Sequence, residues 1–175
     1  VSKDGYELPH LNVTSGSASL AASGRLDDKW DLRWKLDVQD IGKALAAQGI
    51  TSGGTAHGSG SLSGPLRTPR IAAVINGKDL VFNEHRAASL HVTTDVDMQD
   101  QLPSQLNLRA TGLRIGTQPI DSVTIDGSGR ATRHELNATL NMPQESLVLH
   151  AQGGLENMGE QNIAIYTIKD TGAYE

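Results

Sequence analysis

Trp30-Asp31-Leu32-Arg33-Trp34-Lys35-Leu36-Asp37-Val38 alternates apolar and charged residues across nine positions without a break. Side chains on a β-strand point to opposite faces at every second residue. The stretch therefore predicts a strand with Trp30, Leu32, Trp34, Leu36 and Val38 on one face and only ions on the other. The mixed signs of Asp31, Arg33, Lys35 and Asp37 suit a solvated sheet surface with cross-strand ion pairs.

The same alternation spreads outward in both directions. Ala18, Leu20, Ala22, Gly24 and Leu26 share a face upstream, and Asp27-Asp28-Lys29 predicts a hairpin turn into the Trp30 strand. Downstream the period changes: Ile41, Ala44, Leu45 and Gln48 follow helical spacing, with Asp40 placed to cap the start and Gly49 to end it. Alternation then resumes with Ala56, Gly58, Gly60, Leu62 and Gly64, and continues through Ile71, Ala73, Ile75 and Gly77, followed by Leu80 and Phe82. It returns at Ala88, Leu90, Val92, Thr94, Val96 and Met98, then at Leu106, Leu108, Ala110 and Gly112. A parity shift at Leu113 and Ile115 predicts a bulge or a strand end. Val123, Ile125, Gly127, Gly129 and Ala131 form the next set, then Leu136, Ala138, Leu140 and Met142, then Leu147, Leu149, Ala151, Gly153 and Leu155. Ile163, Ile165, Tyr166 and Ile168 predict one more strand, and the end from Asp170 to Glu175 is expected to fray.

Roughly ten to twelve strands with one apolar face each would make a sheet about 50 Å wide at ~4.8 Å per strand. A flat sheet of that kind invites aggregation, so it must curl into a barrel, a sandwich or an elongated trough. Composition favours the trough. Aromatics are only 3% of the 175 residues and glycines number 19, too little bulk to fill a closed interior. The expected fold is all-β: an elongated, curved, antiparallel-rich sheet folded as a taco-like open barrel, with an apolar concave interior and one short helix. The expected groove lining is Leu20, Ala22, Leu32, Trp34, Leu36 and Val38 from the first half of the chain. Leu62, Ile75, Leu90, Val92, Leu106 and Leu108 continue it, and Val123, Ile125, Leu136, Leu140, Leu147 and Leu149 complete it. Trp30 and Trp34 read most simply as core residues, with contact to an acyl chain as the alternative.

Length allows one domain over residues 1–156, with 157–175 as a terminal strand and tail. Net charge is −5 and the Lys and Arg residues are scattered, so no basic stripe exists for a phosphate backbone and no nucleic-acid partner is expected. Cysteine is absent, which removes disulfides, thiolate metal sites and thiol nucleophiles. No apolar run reaches the ~20 residues that span a bilayer. No charged-then-apolar leader is present either, and the chain opens in mid-pattern, as a segment of something longer would.

Signals for chemistry are weak. His10, His57, His85, His91, His134 and His150 are dispersed without metal-ligand spacing, so no metal is expected. His91 and His150 fall on the polar sides of their strands. Asp95 and Asp97 share a face and read as a charged outer surface nearing a turn, since a calcium loop would need more oxygen ligands and a glycine. Gly58-Ser59-Gly60-Ser61-Leu62-Ser63-Gly64 lacks the Lys of a phosphate loop, and Leu62 stands where a nucleophile elbow needs serine. No catalytic residue and no cofactor are expected.

Several motifs resemble, in their order, the repeating unit of the TamB family within the AsmA-like group. They are Gly60-Ser61-Leu62-Ser63-Gly64-Pro65-Leu66-Arg67-Thr68-Pro69-Arg70-Ile71, then Ile75-Asn76-Gly77-Lys78-Asp79-Leu80. Leu106–Gly116 follows, ending in Leu113-Arg114-Ile115-Gly116, then Ile120, then Gly129-Arg130-Ala131-Thr132-Arg133-His134-Glu135-Leu136. The resemblance covers about Gly16 to Leu155, and the tail after Asn157 lies outside the family pattern. It implies a segment of a long periplasmic β-structure, anchored in the inner membrane of a Gram-negative bacterium and reaching a TamA-like barrel in the outer membrane. It further implies phospholipid acyl chains and nascent outer-membrane proteins as cargo, and it carries over no catalytic residues. Two functional expectations follow: a groove for phospholipid transfer between the membranes, or a scaffold that assembles outer-membrane strands by pairing with an open sheet edge. A closed sandwich acting as a spacer is the third.

Overall fold

The computed structural model describes residues 6–130, 132–158 and 161–170. The strands are β1 (Tyr6–Ser15), β2 (Ala18–Leu26), β3 (Lys29–Val38), β4 (Ser52–Pro65), β5 (Arg70–Phe82) and β6 (His85–Asp97). They continue as β7 (Ser104–Ile115), β8 (Gln118–Arg130), β9 (Arg133–Asn141), β10 (Ser146–Met158) and β11 (Gln161–Asp170). All eleven lie in one sheet in chain order. Every neighbouring pair is antiparallel, as in β3–β4 and β5–β6. Short turns can connect antiparallel strands directly, so the meander needs no crossover.

The sheet does not close: β1 pairs only with β2 and β11 only with β10. The result is the curved open trough expected from the alternation, and among the described residues there is neither a second sheet nor a barrel seam. Its interior is only partly filled. Among the described residues, Ala110, Ile120 and Ala151 are the buried apolar side chains, and none of the large ones is fully buried.

The helical segment is shorter than its period suggests. Asp40 caps a single α-turn, α1 (Ile41–Ala44), accepting the Lys43 backbone N–H at 3.0 Å. The chain then tightens to a 3₁₀ turn over Ala46–Gln48 and stops at Gly49, whose φ of 68° needs no strain in glycine. Gly42 faces the Ser52 carbonyl so closely that a Cβ would stand 2.6 Å from it, which seats the turn against β4.

β1 is the terminal strand expected around Val13, and Pro9 and a register shift between Leu8 and Leu11 break its alternation. Proline is tolerated there because β1 is an edge strand. The parity shift after Ala110 neither ends β7 nor breaks its register. Gly112 takes φ 58°, and pairing resumes at Leu113 opposite Ile120. Residues 171–175, which cover all but the first position of the expected frayed end, lie outside the described residues, as does Ala131.

Candidate functional site

Residues directly opposite each other in an antiparallel pair project from the same face, so register alone assigns faces across the sheet. One row runs Val13, Leu20, Leu36, Gly58, Ile75, Val92, Leu108, Ile125, Ala138, Leu149 across ten strands. The parallel row is Leu11, Ala22, Trp34, Gly60, Ala73, Thr94, Leu106, Gly127, Leu136, Ala151. A third carries Val38, Ala56, Gly77, Leu90, Ala110, Val123, Leu140 and Leu147. Leu32 and Leu62 pair in a fourth. All eighteen residues expected on the groove thus share one face of one continuous surface.

Their exposure fits a curved face that no second sheet covers among the described residues. Leu20, Leu106 and Leu147 are exposed, and the other fifteen are half-buried. Half-burial without a covering layer comes from neighbouring strands of the same curling sheet. A depression of about 550 Å³ spans β6 to β9 on this face. Val96, Met98, Leu106, Gly127 and Leu136 give it an apolar lining, with Arg130 and His134 at its margin.

Trp34 shows how the small residues serve this face. Its cross-strand partner is Gly60, and a Cβ there would stand 2.7 Å from the indole Cζ2. A Cβ on Gly58 would stand 3.3 Å from Cζ3. The indole therefore lies across two glycines of β4, filling what they leave empty. The glycine-rich stretch is a seat for an aromatic ring, not a phosphate loop.

The opposite face is polar and laced. Asp37, His57, Asn76, His91 and Arg109 stand opposite one another in a ladder across β3 to β7. His57 Nδ1 lies 3.1 Å from Asp37 Oδ2, and His91 Nδ1 lies 2.7 Å from Asn76 Oδ1. His150 bonds Asn137 in the same manner. These histidines are held by neighbouring strands on the outer face, away from the apolar one. No group of three or more metal-ligating side chains comes together among the described residues.

Asp95 fits the reading of a charged outer surface, and Asp97 departs from it. Asp95 receives Arg70 in a two-pronged pair. The guanidinium's hydrogen bonds hold its carboxyl below the usual carboxylate range. Asp97 is buried and folds into the β6–β7 turn. Its carboxylate accepts the backbone N–H groups of Leu102 (2.8 Å), Gln99 (3.0 Å) and Gln101 (3.1 Å), while its own N–H donates to Ser104 Oγ. Those N–H groups, Leu102 first, depress its pKa. Spacing alone did not separate a turn organiser from a solvated charge.

A family model described as the TamB N-terminal domain matches residues 2–164. No curated protein and no solved structure matches the chain.

Proposed function

Because the chain belongs to the TamB family, a transport module associated with outer-membrane assembly, we propose that its apolar face carries phospholipid acyl chains between the inner and outer membranes. The observation that carries this reading is the register: rows of mostly aliphatic and small residues run across ten strands, with no second sheet over them among the described residues. Exposing an acyl chain to water costs about 0.8 kcal/mol per CH₂, on the order of 10 kcal/mol for a tail of roughly sixteen carbons. A continuous apolar trough removes most of that cost at every point along its length, and it requires no specific pocket. Aliphatic and small linings also suit a flexible tail better than rings would. In this reading the segment is periplasmic and non-catalytic, and it meets a TamA-like barrel through the longer protein.

Charged substitutions test it. Leu90→Asp or Ile125→Asp should block phospholipid transfer between vesicles while the β-sheet circular dichroism stays unchanged, because each places a carboxylate in the path without removing a core. Folded variants that transfer lipid as well as the parent would contradict the reading.

One observation supports a second role. β1 offers an unpaired edge bearing exposed apolar residues, with Val13 48% and Leu11 39% accessible. An edge of this kind can accept a further strand, as assembly of outer-membrane polypeptides would require. Val13→Pro should abolish polypeptide capture by this edge and spare lipid transfer. Retained capture would remove the edge from the account.

A further inference from the structure

Trp30 and Trp34 lie four residues apart on the same face, yet they are held differently. The Trp30 indole N–H donates to the Leu66 carbonyl at 3.2 Å, which ties the ring down by a polar bond. The Trp34 indole has no hydrogen-bond partner among the described residues and is not fully buried. Its height above the sheet is therefore set by sterics alone. Those sterics are permissive on both sides: Ala22 stands opposite it on β2, Gly60 opposite it on β4, and Ala73 beyond Gly60 on β5. Gly58 completes the recess under the ring, with the Ile75 side chain as its far wall.

A tryptophan on a sheet surface would normally stand as the tallest object on it. Here it is the largest side chain in a row whose near neighbours are the smallest residues available. The pairing levels the face.

We propose that Trp34 sets the clearance of the trough for a passing acyl chain, and that Gly58 and Gly60 are positioning residues that keep its indole low. This rests on the lipid-transfer reading and deepens it by naming the point along the path at which a bulky obstacle is held aside. A side chain at position 58 or 60 would push the ring into the space the tail occupies, and removing the ring would relieve that obstruction. A purely stabilising stack of ring on glycine predicts the reverse, since losing both partners would harm the protein at least as much as losing one.

The two positions differ in how gently they can be probed. A Cβ on Gly60 would stand 2.5 Å from the Ala72 carbonyl oxygen, so substitution there strains the backbone itself. At Gly58 the nearest atoms (Ile75 Cγ1, Trp34 Cζ3 and the Val74 oxygen) all stand at 3.3 Å, and two of them belong to side chains that can give. Gly58 is the position to change.

The experiment uses the full chain and has two arms. In the first, Trp30→Phe leaves Trp34 as the sole tryptophan, and its emission is followed with phosphatidylcholine vesicles whose acyl chains are brominated or not. Contact with tails predicts strong quenching by the brominated lipid alone. In the second, phosphatidylcholine transfer between vesicles is compared for the parent, Gly58→Val, Trp34→Ala and the double variant. The expected order is a severalfold loss for Gly58→Val, and recovery in the double variant to the level that Trp34→Ala alone gives. Gly58→Ala, the smaller intrusion, should fall between parent and Gly58→Val, and it carries the test if Gly58→Val does not fold. Unimpaired transfer by folded Gly58 variants, or a double variant as slow as Gly58→Val, overturns the clearance role while leaving lipid transfer standing. A parent that neither transfers phosphatidylcholine nor is quenched overturns the reading beneath it.

Discussion

Arg70 grips Asp95 across β5 and β6 with both prongs of its guanidinium, Nε to Oδ1 at 2.7 Å and Nη2 to Oδ2 at 2.6 Å. The residue directly opposite Arg70 is Asp97, so the side chain reaches diagonally to its partner and leaves Asp97 free to serve the turn. The fork matches a carboxylate in a way an ammonium cannot. Both partners remain about two-fifths exposed, so solvent screens the pair. Arg70→Lys should therefore lower the thermal midpoint by no more than a few degrees. Differential scanning calorimetry checks this, and a collapse of the fold would show the pair to matter more than its exposure allows.

The same carboxylates give the protein an acid limit. Folding depresses the pKa of Asp95, chiefly through Arg70, and that of Asp97, chiefly through the Leu102 N–H. A depressed folded pKa means that the unfolded chain binds protons more readily. The stabilisation is complete above the ordinary value of about 3.9 and is lost as pH falls through it toward the lower folded values. Chemical denaturation at stepped pH should show stability declining below about pH 4, with a shallower decline in Asp95→Asn and Asp97→Asn. An unchanged slope in both variants would contradict this assignment.

Asp97 also makes a local prediction. With its carboxylate gone, the N–H groups of Gln99, Gln101 and Leu102 lose their acceptor together. Asp97→Ala should speed hydrogen exchange at those three amides well before it affects amides in mid-strand β6, such as Val92. Uniform acceleration across the sheet would mean that the turn and the strands open as one unit.

The middle of β7 depends on the glycine at position 112. Gly112 combines φ 58° with a position where a Cβ would stand 2.8 Å from the Ala88 Cβ. Gly112→Val should destabilise by about 1–3 kcal/mol from backbone strain and overpacking. The urea midpoint reports it.

Openness of the interior has its own signature. Leu36 and Ile125 are half-buried on a face with no opposing layer, so truncating them removes fewer contacts than it would in a closed core. Leu36→Ala and Ile125→Ala should each cost about 1 kcal/mol, against the 2–5 usual for buried aliphatics. Values in the higher range would indicate a packed interior.

Much of this architecture was readable in the chain because a period of two is a strong signal when it repeats. Val92, Leu108 and Ile125 stand in register because each belongs to an unbroken run, and a slip by one residue would turn a whole strand inside out. The signal failed where backbone geometry overrides alternation. Pro9 and a bulge break the alternation of β1, and β7 keeps its register past Gly112 although its apolar pattern changes parity there. The seat beneath Trp34 needed the cross-strand partner, since nothing in Gly58-Ser59-Gly60 names a residue some two dozen positions away. Asp97 looked like Asp95 because a turn that recruits a carboxylate leaves its mark in three-dimensional donors, not in spacing.

The central claim is that the apolar face, and not the polar one, carries phospholipid tails. A photo-reactive residue introduced at Val92 or Leu108 would sit on the apolar face, while one at Thr93 or Asn107, the adjacent positions, would sit on the other. Illumination followed by mass spectrometry should find phospholipid adducts at Val92 and Leu108 and none at Thr93 and Asn107. Equal labelling on both faces, or polypeptide adducts alone at Val92, would contradict the account.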